Sequence, residues 1–218
     1  MVTVVAIDGP AGAGKSTVAR LVADEIGVPY LDTGAMYRCV ALAVLRRGVS
    51  HGDVDEIASI AESVEITLHA DTVLLDGQDV STEIRTSEVG AVVSIIAAMT
   101  PVRNSMRSQQ QKWIADHGGG VVEGRDIGTV VLPHADVKIF LTASAQERAA
   151  RRVQQSGGDL AQVAKEIEDR DHLDSTRQDS PLQPASDAVH VDTTGLSISE
   201  VVASIVAIVH KKQEIKNV

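Results

Sequence analysis

Apolar positions along this chain switch between two periods. Val2–Ile7 is a continuous run rich in β-branched residues, ended by Asp8-Gly9-Pro10, the pattern of a strand buried on both faces. Lys15–Ile26 follows with Val18, Leu21, Val22 and Ile26 at helical spacing and Gly27 as its stop. Strand, glycine-rich turn and helix in that order open a parallel α/β domain. Gly34–Arg47, ended by Gly48, and Val54–Ser63 read as further helices. The texture then changes. Val64–Val80 carries short β runs, and Val73-Leu74-Leu75 meets an Asp76-Gly77 turn signal, which predicts a hairpin.

Two helices are expected next, Ser87–Ala98 and Pro101–His117, with Pro101 in a first turn. The α/β texture returns after a Gly118-Gly119-Gly120 loop: a short strand at Val121-Val122, a clear one at Val137–Leu141, and an Arg-rich helix over Ala145–Gln155. Ser156-Gly157-Gly158 breaks that helix. Asp159 can cap the next, whose Leu160, Val163, Ala164 and Ile167 share a face. A strand at Ala188–Val191 and a helix over Ser197–Val209 complete the pattern, and Lys211–Val218 is expected to fray. The middle third reads as an insertion into an α/β core.

Composition narrows the function classes. With 44% apolar residues the chain can fill a core, yet Tyr30, Tyr37, Trp113 and Phe140 are its only aromatics, so the core is aliphatic. So few aromatics cannot build a stacking platform for single-stranded nucleic acid, and a formal charge of -10 argues against general nucleic-acid binding. A small anion site needs only local positive charge, and thirteen of the twenty basic residues are Arg, the better fork for phosphate oxygens. Cys39 is the single cysteine, so a disulfide within the chain and a cysteine metal cluster are both out. The first apolar run lacks a basic flank and is too short to span a bilayer, so a cytoplasmic, non-membrane protein is expected.

The chemistry concentrates in Gly9-Pro10-Ala11-Gly12-Ala13-Gly14-Lys15-Ser16, which matches GxxxxGK[ST] between the first strand and the first helix. Glycines let backbone N–H groups curl round phosphate oxygens, and the helix N-terminus adds its dipole. Lys15 is placed to reach the β- and γ-phosphates of ATP, the Ser16 hydroxyl to bind Mg²⁺, and Thr17 to hold the α-phosphate. There is no NKxD run for guanine and no LSGGQ-type signature, which leaves kinases of a second small molecule. Such enzymes need a second anion site and a basic lid that keeps water from the transferring group. Four runs are candidates: Leu31–Arg38, Glu123–Asp126, the arginines 148, 151 and 152, and Arg170–Arg177. Each also has an ordinary reading as a capped helix, a loop ion pair or a solvated charged face. Arg148 and Arg152, four residues apart, are expected on one face.

Taken together the chain resembles the bacterial cytidylate kinase family over essentially its whole length. The resemblance rests on Ile7–Thr17, Leu31–Arg38, Asp79–Thr86, Gly124–Val131, Val137–Leu141 and Arg170–Arg177. It implies an α/β fold: a P-loop kinase core with a parallel sheet flanked by helices, a monophosphate-binding insertion with a small antiparallel sheet, and a helical lid. On that basis the chain is a single kinase domain, with core segments 1-33, 118-147 and 185-218, a monophosphate-binding region 34-117 with its β insertion at about 64-85, and a lid with return helix at 148-178. The resemblance implies ATP-dependent phosphorylation of CMP and dCMP in pyrimidine metabolism, with Mg²⁺, by a monomer. Carried over by motif, Thr33, Arg38, Arg125 and Arg177 resemble contacts around the CMP phosphate, Ser94, Arg103 and Asp126 the cytosine readers, and Arg170 and Asp174 ribose contacts. Arg151 and Arg152 resemble the lid arginines. A kinase of UMP, AMP or a sugar acid, or a nucleotide-binding module without turnover, are the other readings.

Overall fold

The computed structural model of the chain describes residues 3–69 and 71–216. Of the expectations above, Val2 in the first strand and Asn217 and Val218 in the tail lie outside the described residues. The chain forms two compact units, Met1–Leu31 with Ile114–Val218, and Asp32–Trp113.

The first unit is built round β1 (Val4–Asp8), which pairs in parallel with β6 (Gly120–Gly124) on one side and β7 (Val137–Thr142) on the other. Next to β7 lies β8 (Val189–Asp192), also parallel, and β2 (Tyr30–Asp32) lies outside β6. The order is therefore β2-β6-β1-β7-β8, with β1 central. Val5 and Ile7 point to one face with Val121, Val137, Ile139 and Leu141. That face is covered by Val18, Ala19, Val22 and Ala23 of α1 (Lys15–Ile26) and by Val201, Ile205 and Val209 of α8 (Ile198–Lys216). Ala6 and its register partner Val122, also buried, face the other way. Each fully buried Val, Leu or Ile contributes about 1.5–3 kcal/mol over leaving it exposed, so this aliphatic layer is the main cohesive term of the unit.

Several boundaries differ from the periodicity. Gly120 is the first residue of β6 rather than the end of a loop, because its N–H donates to the Thr3 carbonyl at 3.2 Å. β2 is too short to carry a period, though Leu31 is buried. The described part of the tail, expected to fray, is helical: α8 continues to Lys216, and Gln213 Nε2 donates to Thr3 Oγ1 at 2.7 Å. The helices α6 (Ala145–Ser156) and α7 (Leu160–Thr176) pack against each other, capped by Ser144 and Asp159. Val163 and Ile167 share a buried cluster with Ala149, and Ala164 packs against it. Leu160, expected on that face, is exposed in the first turn.

The second unit starts with α2 (Thr33–Arg47), whose N-cap Asp32 accepts the Ala35 N–H at 2.9 Å. α3 (Val54–Ser63), α4 (Ser87–Ile96) and a 3₁₀ turn at Glu83–Arg85 pack on it. Strands β3 (Ile66–Leu68), β4 (Val73–Leu75) and β5 (Gln78–Asp79) form the small antiparallel sheet. Asp76 and Gly77 both have positive φ, 51° and 77°, as a two-residue turn that follows strand twist requires. α5 (Thr100–His117) begins in this unit. No single helix among the described residues is long and apolar enough to cross a membrane; the α4–α5 pair passes on length and composition together but bends by 99°.

Candidate active site

The glycine-rich loop leaves the C-terminal end of β1, the central strand, where ligands of open α/β sheets sit. Gly9, Gly12 and Gly14 have φ of 154°, 75° and 87°, and the helix starts at Lys15 without a side-chain cap. The first N–H groups of α1 therefore have no intrahelical acceptor and open towards an anion. A Cβ at Gly9 would stand 2.1 Å from the Leu141 carbonyl oxygen of β7, so close packing of the strand behind the loop also demands glycine there. Lys15 is buried, and its Nζ donates to the Pro10 carbonyl at 2.8 Å. Burial pushes its ammonium below the ordinary lysine value, helped by the positive charges of Arg125 and Arg170, while Glu123 and Asp174 oppose the shift.

Behind the loop, Asp8 ties two segments together. Its carboxylate accepts the N–H of Ile127 at 2.8 Å and of Gly128 at 2.7 Å, where a π-helical turn, Ile127–Val131, follows Asp126. Burial raises its pKa from 3.8 to about 6, against those two hydrogen bonds and Lys15 and with help from Asp126. This contact fixes where the preceding Arg125 and Asp126 stand.

Arg125 Nε donates to Asp174 Oδ2 at 2.8 Å. Arg177 sits 3.7 Å from Asp174 Oδ1 and 3.5 Å from Asp126 Oδ1, and its Nε donates to the Ser180 carbonyl at 2.6 Å. Burial opposes ionisation of Asp174, but Arg125, Arg170 and Arg177 outweigh it and hold the carboxyl below its usual range. Burial likewise works against the Arg125 charge, and Asp174, Glu123 and Asp171 reverse it. Glu123, buried on β6, accepts the Tyr30 hydroxyl at 2.8 Å. Lys15, Arg125, Asp126, Arg170, Asp174 and Arg177 thus belong to one electrostatic cluster of the first unit.

The three arginines of α6 separate. Arg151 donates to Thr193 Oγ1 and to its carbonyl, both at 2.9 Å, and pairs with Glu147. Arg152 is exposed. Arg148, four residues away, instead pairs with Asp171 and donates to the Ala11 carbonyl at 2.8 Å. Thr33, Arg38, Ser94 and Arg103 belong to the second unit. Thr33 is buried at the start of α2, and Arg38 Nη1 donates to the Ile84 carbonyl at 3.0 Å. Arg103, 2% exposed, donates to the Ala97 carbonyl and lies over the Tyr37 ring. Ser94 is half-buried.

Ser16 fits as a protein ligand of Mg²⁺ when phosphate oxygens and waters supply the other positions: it is exposed in the first turn of α1, beside the loop. Among the described residues no group of three or more His, Cys, Asp or Glu could hold a metal by itself. Asp8 drew no separate role from the sequence, Arg148 entered only as one of the three candidate lid arginines, and Asp171 only as a member of the Arg170–Arg177 run. Asp171 was legible in principle, since it falls on the stripe of α7 that carries the buried Val163, Ile167 and Asp174.

Strand, glycine loop, buried lysine and helix N-terminus define a P-loop protein with the fold of small-molecule kinases. Solved structures share that fold at low identity. One from Thermus thermophilus, TT1252, gives a TM-score of 0.51 at 17% identity, covering 96% of this chain and 97% of that one. A gluconokinase from Sinorhizobium meliloti gives 0.50 at 15%, covering 98% and 95%. The family model described as cytidylate kinase matches residues 5–211. Cytidylate kinases of Desulforamulus reducens and Rhodococcus opacus are 52% and 48% identical, covering 95% and 96% of this chain and 96% and 95% of their own lengths. The chain belongs to the cytidylate kinase family, nucleoside monophosphate kinases.

Proposed function

We propose that the chain transfers the γ-phosphoryl group of ATP to CMP and dCMP, giving ADP with CDP or dCDP, in pyrimidine nucleotide metabolism. The observation that carries this reading is the buried Lys15 cradle next to the ion-paired cluster of Arg125, Asp174, Arg177 and Asp126. It supports a reading in which the Arg125 and Arg177 guanidiniums donate to an anion beside the phosphate loop, within a chain of this family.

In this reading residues 9–17 bind ATP, with Lys15 on the transferring phosphoryl group and Ser16 on Mg²⁺. The metal supplies charge neutralisation on the phosphate oxygens. Thr33, Arg38, Arg125 and Arg177 hold the acceptor phosphate, and Arg170 and Asp174 its ribose. Ser94 and Arg103 donate to the O2 and N3 of cytosine, and Asp126 accepts from its amino group. Uracil presents a carbonyl in place of that amino group, so it would leave Asp126 facing an acceptor. Arg151 and Arg152 are the lid arginines. Support for Arg151 is its place beside the loop, where a Cβ at Gly14 would stand 3.8 Å from its Nη1. Positioning and electrostatics carry the step, without a dominant general base. Segments 1-33, 118-147 and 185-218 act as the core, 34-117 as the monophosphate-binding region and 148-178 as the lid, in a cytoplasmic monomer.

The test is ADP release from Mg·ATP with CMP, dCMP, UMP, AMP, GMP and shikimate as separate acceptors. Fast turnover with CMP and dCMP alone is expected. Turnover with another acceptor would discard the base-reading residues, and silence across the panel with ATP still bound would favour a binding module.

A further inference from the structure

The apex of the phosphate loop is held from outside the loop. Asp171 Oδ1 accepts the Ala11 N–H at 2.9 Å, and Arg148 Nη1 donates to the Ala11 carbonyl at 2.8 Å. Asp171 and Arg148 also pair with each other, and Arg148 Nε donates to the Ala143 carbonyl at 3.2 Å. Both polar groups of one loop residue are thus claimed by one ion pair, each partner of which comes from a different helix. The Ala11 methyl group is buried against Ala149, Val163 and Ile167 of those same helices. Gly12 lies so near α6 that a Cβ there would meet Arg148 Cβ at 3.1 Å and its carbonyl oxygen at 3.2 Å. The pair is mostly buried, with 11% and 20% of the two side chains exposed, so solvent screens it little.

We infer that Asp171 and Arg148 are positioning residues that clamp the apex of the phosphate loop to the α6–α7 helix pair. Neither needs to touch the reacting atoms. The loop's N–H groups can cradle phosphates only in one backbone conformation, and Ala11 is the residue at which the helices impose it. The same two helices carry Arg151, Arg152, Arg170 and Asp174, so the clamp sets the register between the loop and those side chains. Loss of the clamp lets the loop sample conformations with misdirected N–H groups, which weakens ATP binding and slows transfer. The acceptor's base contacts do not pass through Ala11. The inference rests on ATP as the donor; it does not depend on which acceptor is used.

The experiment compares Asp171→Asn, Arg148→Gln and the double variant with the parent chain. Asp171→Asn keeps an acceptor for the Ala11 N–H and the side-chain shape while removing the charge that Arg148 pairs with. ATP affinity is read by calorimetry without acceptor, KM for ATP and for CMP by initial rates, and folding by circular dichroism and thermal unfolding. Each single variant is expected to weaken ATP binding about 10-fold, with KM for CMP moving less than about 2-fold, because a charge-assisted pair is lost. The double variant should be no worse than the weaker single one, since the two residues act as a unit. Asp171→Glu should recover part of the ATP affinity. Equal changes in ATP and CMP parameters, additive losses, or a lowered unfolding midpoint with unchanged ATP affinity would overturn the inference. So would loss of the folded state in Asp171→Asn, which would make the pair a folding element. A parent chain that binds ATP but turns over none of the acceptors would count against the acceptor assignment and leave this calorimetric test intact.

Discussion

Asp8 offers a perturbation whose size follows from the structure. Its carboxyl is raised from 3.8 to about 6 because it is buried, although two backbone N–H groups at 2.7–2.8 Å favour the anion. The native state therefore holds a proton on Asp8 that the unfolded chain has already released between those two values. Stability falls as pH rises through that window, by about 3 kcal/mol in total from below 3.8 to well above 6. Between pH 4.5 and 7.5 the change is about 2 kcal/mol, which for a urea slope near 2 kcal/mol/M moves the midpoint by about 1 M. Asp8→Asn removes the titration while keeping one acceptor, and leaves one buried N–H poorly satisfied at about 1–3 kcal/mol. The variant is thus expected to be the less stable protein at pH 4.5, with a gap that closes or reverses by pH 7.5. The assay is urea unfolding of both proteins at several pH values across that range, each fitted for its midpoint. Titrating groups that do not interact with Asp8 cancel in the difference between the two curves. A gap that stays constant, or widens towards neutral pH, would refute the buried, proton-holding Asp8.

Three further outcomes are expected. Gly9→Ala should cost several kcal/mol, on the order of 3 or more, in thermal or urea unfolding, because the new Cβ meets the Leu141 carbonyl oxygen at 2.1 Å; near-parental stability would mean that β1 and β7 can part there. Lys15→Ala should abolish turnover while circular dichroism stays native, since among the described residues the side chain hydrogen-bonds to the loop's own Pro10 carbonyl and to no other element; near-normal turnover would remove Lys15 from the phosphate site. Asp126→Asn should narrow the CMP/UMP ratio of kcat/KM by about 10–100-fold, because an amide can donate to the uracil carbonyl; an unchanged ratio would take Asp126 out of base reading.

The phosphate loop was legible because its requirements are local. Positive φ at Gly12 and Gly14, and a lysine opening a helix, are properties of eight consecutive residues. The Asp76-Gly77 turn was legible for the same reason. The charged runs at 125–126 and 170–177 could be found as runs, but composition could not say that Asp174 would sit between Arg125 and Arg177. Arg148 shows the limit of helical spacing. Four residues from Arg152, it is expected on the same helix face, yet its guanidinium turns to Asp171 and the Ala11 carbonyl while Arg152 is exposed. Spacing places a Cβ on a helix, and a long side chain then goes where a partner on another element waits.

The sequence alone determined the alternation of strands and helices, the small β insertion, the aliphatic core and the phosphate loop. These follow from periodicity and from backbone conformations that only certain residues adopt, and both act over a few neighbours. Only the tertiary structure decided the order β2-β6-β1-β7-β8, the tie from Asp8 to Ile127 and Gly128, and the hold of Asp171 and Arg148 on Ala11. Those contacts join residues 119 to 160 positions apart. Burying such polar and charged groups costs free energy that only a partner at hydrogen-bond distance offsets, and the chain brings that partner close only after the sheet has formed.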